Sequence, residues 1–396
     1  MPHEDSLILT LVAGFVLAFV LGLIALRLRL SPLVGYLLAG VLVGPFTPGY
    51  VADTSLAPQL AEVGVILLMF GVGLHFSPQD LARARSIALP GAIAQIAVAT
   101  GLGWAVGRSM GLPDMEAALL GFALSVASTV VLLRAIEERG EMKTEIGRIA
   151  VGWLIVEDLV IVVALVLLPL FAGPSLAGTN AVAAIGLTIL KIAAFVGLML
   201  VVGGRVLPWI LIRIAHTRSR ELFTLGVLAI ALGIAYLAYA VFGASFALGA
   251  FVAGLVLNGT KLGHSAAESS LPLRDAFAVL FFVSVGMLFD PSIMVREPLT
   301  VAAVVGIVLI GKSIAALAIT ALFGLGRRAG LTIAASLAQV GEFSFILAGV
   351  GVTLGLLGQG THDLILAAAL ISIALNPFVF KLADRLAPGP AAATAS

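Results

Sequence analysis

Residues 151–170, VGWLIVEDLVIVVALVLLPL, constrain this chain more than any other stretch. The run is apolar and long enough to cross a bilayer, yet it carries two adjacent carboxylates, Glu157 and Asp158, near its middle. A carboxylate at the centre of a membrane helix costs about 2.5–3.5 kcal/mol on insertion scales. Acids persist there when they face a protein interior, a water-filled cavity, an ion path or a partner charge. The chain must therefore fold as several membrane helices packed around a polar centre.

The rest of the composition agrees. The 396 residues are 61% hydrophobic and 11% charged, against about 25% charged in soluble domains. The net charge of +1 points to no nucleic-acid or acidic partner. With no cysteine, disulfides, thiol chemistry and iron–sulfur ligation are excluded. The five histidines are not clustered, which argues against a zinc site. The first apolar run, 7–26, follows an acidic start (His3, Glu4, Asp5) rather than a basic one, so it reads as a retained helix and not a signal peptide.

A membrane helix needs about 20 apolar residues. Cutting at turn residues and charge clusters predicts about thirteen spans, near 7–26, 32–45, 58–75, 86–107, 115–135, 147–170, 180–207, 221–241, 244–259, 274–289, 299–323, 330–353 and 362–383. No long polar segment divides them, so residues 1–386 read as one membrane domain and 387–396 as a disordered tail. Basic residues follow every odd span, among them Arg27 and Arg29, Arg134 and Arg139, Arg213 and Arg218, Arg327 and Arg328, Lys381 and Arg385. The opposite side holds only Arg108 and Arg296. The positive-inside rule places the N-terminus outside and the C-terminus in the cytoplasm, which predicts a multi-pass protein of the plasma (inner) membrane.

The sequence repeats itself at an offset of about 214. SPLVGYLLAGVLVG (31–44) aligns with SFALGAFVAGLVLN (245–258), and LLMFGVGLHFSP (67–78) with LFFVSVGMLFDP (280–291). Gly40 falls on Gly254 and Gly73 on Gly286. An odd number of spans separates the paired segments, so the repeats have opposite orientation. Inverted repeats characterise secondary transporters, whose sites lie at mid-membrane on discontinuous helices. The same offset brings GFALSVASTVVLL (121–133) onto the segment ending SLAQVGEFSFILA (336–348), with Ser128 on Glu342 and Ala127 on Gly341. Ser125, Ser128 and Thr129 in one, and Gln339, Gly341, Glu342 and Ser344 in the other, predict two crossed, broken helices. Close helix packing is the plainer use of small hydroxyl residues.

Lys312 lies mid-span in VGIVLIGKSIAAL (304–316) and needs a carboxylate; Glu157, Asp158 and Glu342 are the candidates. Adjacent helical residues point about 100° apart, so Asp158 can face an ion cavity while Glu157 pairs with Lys312. Lys191 is a second lysine within a span, placed either by snorkelling or by a water cavity. Carboxylates, hydroxyls and carbonyls are hard oxygen ligands that suit a monovalent cation. A carboxylate that takes the cation must first release its proton, so the two ions compete for one site and alternating access yields exchange. A channel with a static acidic pore is the alternative. A carrier of organic anions is disfavoured by the acidic midplane, and no nucleophile–base pair or metal cluster supports an enzyme.

STVVLLRAIEERGE (128–141), LIVEDLVIV (154–162), SFALGAFVAGLVLNGT (245–260), LFFVSVGMLFDP (280–291) and AQVGEFSFILA (338–348) together resemble the second monovalent cation–proton antiporter family, with Kef-type potassium–proton antiporters most similar. The resemblance implies an all-α fold of thirteen membrane helices with two inverted five-helix repeats. It implies a homodimer in the lipid bilayer, a moving core (about 86–170 and 299–383), a dimerisation panel (about 7–75 and 221–289) and a linker helix (about 180–207). By position, Asp158 matches the family's cation and proton carrier, with Glu157 beside it. Ser128 and Thr129 match the crossover, and Lys312 and Glu342 the charge-balancing residues. The transported ions are K⁺ or Na⁺ and H⁺, with no cofactor. Two features depart from the Kef type: Glu157 stands where glutamine is usual, and the 396 residues hold no Gly-rich nucleotide-binding fingerprint, so the cytoplasmic regulatory domain that the resemblance implies is expected either outside this sequence or not at all. The 263–275 segment, GHSAAESSLPLRD, lies where such a domain docks, and reads as a connector or a regulatory loop.

Overall fold

The computed structural model describes residues 4–48, 51, 56–75, 78–141, 144–172, 181–258, 260 and 263–387, and their regular structure is helical throughout. The helices are α1 (Glu4–Arg27), α2 (Pro32–Val43), α3 (Ala57–His75) and α4 (Pro78–Ser109). A broken span, α5 (Asp114–Ser125) and α6 (Thr129–Glu138), precedes α7 (Glu145–Ala172). Next comes α8 (Ala181–Leu198), joined through a π-helical turn at Met199–Gly203 to α9 (Gly204–Ala215). Then follow α10 (Arg220–Phe242), α11 (Phe246–Asn258), α12 (Gly263–Met287) and the short α13 (Ile293–Arg296). A second π-helical turn, Ile307–Gly311, joins α14 (Pro298–Gly306) to α15 (Lys312–Leu322). The last elements are a second broken span, α16 (Arg327–Leu337) and α17 (Glu342–Thr353), and α18 (Gln359–Leu386).

These elements reproduce the thirteen expected stretches. Nine described helical spans are long and apolar enough to cross a membrane, and α2, α3 and α11 supply shorter apolar helices. The α5–α6 pair completes the set, its break keeping either half below membrane length. Local signals explain several boundaries. The Ser219 hydroxyl accepts the Leu222 N–H at 3.2 Å and caps α10. Gly243, at φ +68°, closes the same helix in the left-handed conformation that glycine adopts without strain. The outer faces carry large apolar side chains, such as Phe19, Leu190 and Ile310. A chain with such a surface is embedded in lipid, where every helix satisfies its own backbone groups.

The packing resolves into two compact units, Met1–Ala18 with Tyr36–Phe76 and Val162–Leu288, and Phe19–Gly35 with Ser77–Ile161 and Phe289–Ser396. In the first unit the sequence repeat becomes a geometric one. A Cβ built on Gly73 would lie 2.2 Å from Phe251 O and 3.0 Å from the Cα of Gly254. One built on Gly40 would lie 2.0 Å from Val283 O and 2.8 Å from the Cα of Gly286. The repeat carries Gly73 onto Gly286 and Gly254 onto Gly40, so one seam maps onto the other. Only a missing side chain lets the backbones approach this closely.

The second unit is organised round Trp153, which is fully buried with Leu132, Ile136, Ile333 and Leu337. Its indole fills the space over Gly91, where a Cβ would lie 2.5 Å from the ring.

One expectation needs correction, one alternative is decided and one lies outside the described residues. The 263–275 segment, apart from any loop character, forms the first turns of α12 and runs through Pro272. Lys191 is exposed on α8 and lies in no buried polar site. Snorkelling along an apolar helix explains it better than an internal cavity. Of the expected tail, 388–396 lies outside the described residues.

Candidate functional site

The site is built where the two broken spans of the second unit cross. After Ser125 the chain runs extended through Val126 (φ −90°, ψ 132°) and Ser128 (φ −78°, ψ 125°), and α6 starts at Thr129. After Leu337 it bends at Ala338 and is extended at Gly341 (φ −93°, ψ 168°), and α17 starts at Glu342. Each break frees backbone groups that a bilayer cannot satisfy, and the two segments meet part of that need in each other. The Gly341 N–H donates to Val126 O at 2.9 Å. The Ser128 N–H donates to Gln339 Oε1 at 2.8 Å, and Gln339 Nε2 returns a bond to Ser128 O at 3.2 Å. Gly341 is required by contact rather than by backbone angle: a Cβ there would lie 2.4 Å from Ala127 O.

Neighbouring helices complete the accounting, and the charges follow the helix ends. At the start of α6 the positive end of the dipole faces acids. The Ala127 N–H donates to Glu157 Oε2 at 2.8 Å. The Glu342 carboxyl, on the first residue of α17, sits against the Ser128 hydroxyl and the Thr129 N–H. Past the end of α16, where carbonyls carry negative charge, the Lys312 ammonium donates to Gln339 O at 3.0 Å. Asn376 donates to Ala335 O at 2.8 Å, and the Val340 N–H donates to Ser372 Oγ at 3.2 Å. Ser344 Oγ donates to Ala123 O at 2.6 Å.

Asp158 faces this crossing. Its Oδ2 accepts the Thr129 hydroxyl at 2.9 Å, and the carboxyls that act on it electrostatically are those of Glu342 and then Glu157. Glu157, Lys312, Ser128, Ser125 and Gln339 are fully buried, and Asp158 and Glu342 nearly so. Glu157 Oε1, Asp158 Oδ1 and Glu342 Oε2 are all buried without a hydrogen-bond partner among the described residues. Unpaired buried carboxylate oxygens are costly and need an occupant, whether proton, water or cation. The donor set is oxygen throughout, which fits a bare monovalent cation. Among the described residues no group of three or more His, Cys, Asp or Glu forms a site for a resident metal.

The expected residues thus converge, with one correction. Lys312 and Glu157 interact electrostatically but form no ion pair within 4.0 Å, and each hydrogen-bonds a crossover segment instead. The reason is geometric: the freed carbonyl of Gln339 and the freed N–H of Ala127 lie nearer than the opposite charge. Gln95 and Trp153 escaped the sequence reading. Gln95 Nε2 donates to Ser125 O at 3.1 Å, closing the last carbonyl of α5, and its Oε1 accepts the Trp153 indole N–H at 2.9 Å. The signal was available: Gln95 is a lone amide inside ALPGAIAQIAVAT (88–100).

Crossed half-helices around paired acids define the membrane part of a secondary transporter. Residues 15–383 match the family described as sodium/hydrogen exchanger, transmembrane, and the chain belongs to it. It is 60% identical over 389 residues to "Putative cation/proton antiporter YbaL" of Escherichia coli (strain K12), covering 97% of this chain and 70% of that protein. It is 33% identical over 354 residues to K(+) efflux antiporter 2, chloroplastic, of Arabidopsis thaliana, covering 88% of this chain but only 30% of the plant protein. The fold is that of the sodium proton antiporter MjNhaP1 from Methanocaldococcus jannaschii at pH 8, at a TM-score of 0.70 and 16% identity, covering 97% of this chain and all of that one.

Proposed function

We propose that the chain exchanges a monovalent cation, K⁺ before Na⁺, for protons, with Asp158 as the group both ions use in turn. The carrying observation is the unpartnered Asp158 Oδ1 beside the Thr129 hydroxyl and the crossed segments. Cation and proton cannot occupy that carboxylate together, so each entering ion displaces the other. Ser128, Thr129 and Glu342 offer further oxygens around the same point. Glu157 and Lys312 hold the crossover in place and balance charge. The preference for K⁺ rests on relatives such as K(+) efflux antiporter 2, whose name gives that ion.

The exchange proceeds by elevator-like movement of a core of about 86–170 and 299–383 against a panel of about 7–75 and 221–289, in a homodimer of the plasma membrane with the C-terminus cytoplasmic. The excess of basic residues after the odd spans supports that orientation. The test is proton flux in proteoliposomes under imposed K⁺ or Na⁺ gradients. K⁺-driven flux exceeding Na⁺-driven flux is expected. Cation current without coupled proton movement would replace exchange with a channel.

A further inference from the structure

A cavity of about 430 Å³ opens in the second unit among the end of α1, α6 and α18. Its walls are largely apolar, built from Leu26, Leu30, Val131, Ile373, Pro377 and Phe380. Its charges are arranged unevenly. Asp384 is held by a two-pronged bond from Arg139, whose guanidinium lies 5.2 Å over the Phe380 ring. Glu141 lies 3.8 Å from Arg139 Nε and also takes Arg328. Those four side chains cancel one another. Arg29 and Lys381 remain, both exposed and both without a carboxylate partner among the described residues.

Arg29 is also costly to place. It is one of two described non-glycine residues at positive φ, at +62°. It closes α1 through bonds from its own N–H to Leu26 O and from the Leu30 N–H to Ala25 O. Glycine takes this closing position without strain, and strained backbone gathers where a side chain has a task. Leu28, Phe378 and Leu382, each next in sequence to a residue that lines the cavity, are exposed apolar side chains, the surface of a protein in contact with acyl chains.

We propose that this cavity binds the phosphate end of an anionic phospholipid. Arg29 and Lys381 take the phosphate charge, and the apolar walls take the first carbons of an acyl chain. The ligand chemistry is a phosphodiester bearing a tail: a soluble phosphate would satisfy the two cations but leave the apolar wall wet. Basic pockets at helix ends on the cation-rich face are suited to such headgroups. The inference is independent of the exchange reading.

The test uses the full chain, native mass spectrometry and thermal unfolding with phosphatidylglycerol, phosphatidylcholine or inorganic phosphate added. Phosphatidylglycerol should be retained and raise the melting temperature, and phosphatidylcholine should do neither. The double variant Arg29→Gln, Lys381→Gln should weaken phosphatidylglycerol retention by about thirtyfold, the effect of two basic contacts. Arg29→Gly separates charge from folding: it should raise the melting temperature in phosphatidylcholine while lowering phosphatidylglycerol retention. Undiminished retention in the double variant would overturn the site. Equal retention of phosphatidylcholine would overturn the role of charge, and equal protection by inorganic phosphate would overturn a lipid as the ligand.

Discussion

Replacing Gly341 by alanine tests whether the crossing holds the site together. A Cβ at this position would lie 2.4 Å from Ala127 O, 2.7 Å from its carbonyl carbon and 2.9 Å from Ser128 N. All three are backbone atoms of the opposite segment, and ordinary contact begins near 3.4 Å. The segments must therefore separate by about 1 Å, an overpacking that costs about 1–3 kcal/mol. The separation also loosens the Gly341–Val126 bond and the double Gln339–Ser128 bond, at about 1 kcal/mol net each. The backbone angles suit alanine, so nothing is added for strain. A loss of about 4–6 kcal/mol follows if all three bonds are lost. Thermal unfolding of purified protein in one fixed lipid should show it as a drop of several degrees, with a raised KM for the cation. The control is Gly349→Ala, eight residues on in α17, where nothing lies within 4 Å of a built Cβ. It should be neutral. A Gly341→Ala variant that melts and transports like the parent, or a Gly349→Ala variant equally damaged, would refute the reasoning.

Two further outcomes follow from the site. Asp158→Asn keeps the shape and the capacity to accept the Thr129 hydroxyl, so it should fold normally while cation-driven proton flux falls to background; residual flux at parental level in folded protein would remove Asp158 as the shared carrier. Glu157→Gln keeps an oxygen for the Ala127 N–H but strips the charge that balances Lys312. Exchange should persist with unchanged voltage dependence under a clamped membrane potential, and loss of voltage dependence with activity retained would make Glu157 a second proton carrier.

The spans and the two breaks were legible because hydropathy marks membrane length and because a cluster such as Gln339–Gly341–Glu342 has no place in an unbroken apolar helix. Asp158 with Thr129 was legible for a similar reason: burial makes each polar residue informative. Partnership was not. Lys312 could be assigned a need for negative charge, yet the sequence does not show that a carbonyl freed by the α16 break would meet it at 3.0 Å. Gln95 and Trp153 belong to helices whose pattern reads as ordinary packing, and their bond to each other depends on which faces meet. The start of α12 was hidden by Pro272 and a run of serines, which read as loop until the helix is seen to continue through them.

The paired glycine seams of the first unit have a consequence for how that unit can be perturbed. Gly40 against Gly286 and Gly73 against Gly254 are the same joint made twice, on segments of opposite direction. The two joints share no residue, so a methyl group added at Gly40 presses on the backbone at Val283 and Gly286 and leaves the Gly73–Gly254 joint as it was. The unit can therefore be loosened at one joint at a time, and the two halves of the repeat can be probed separately by single glycine substitutions.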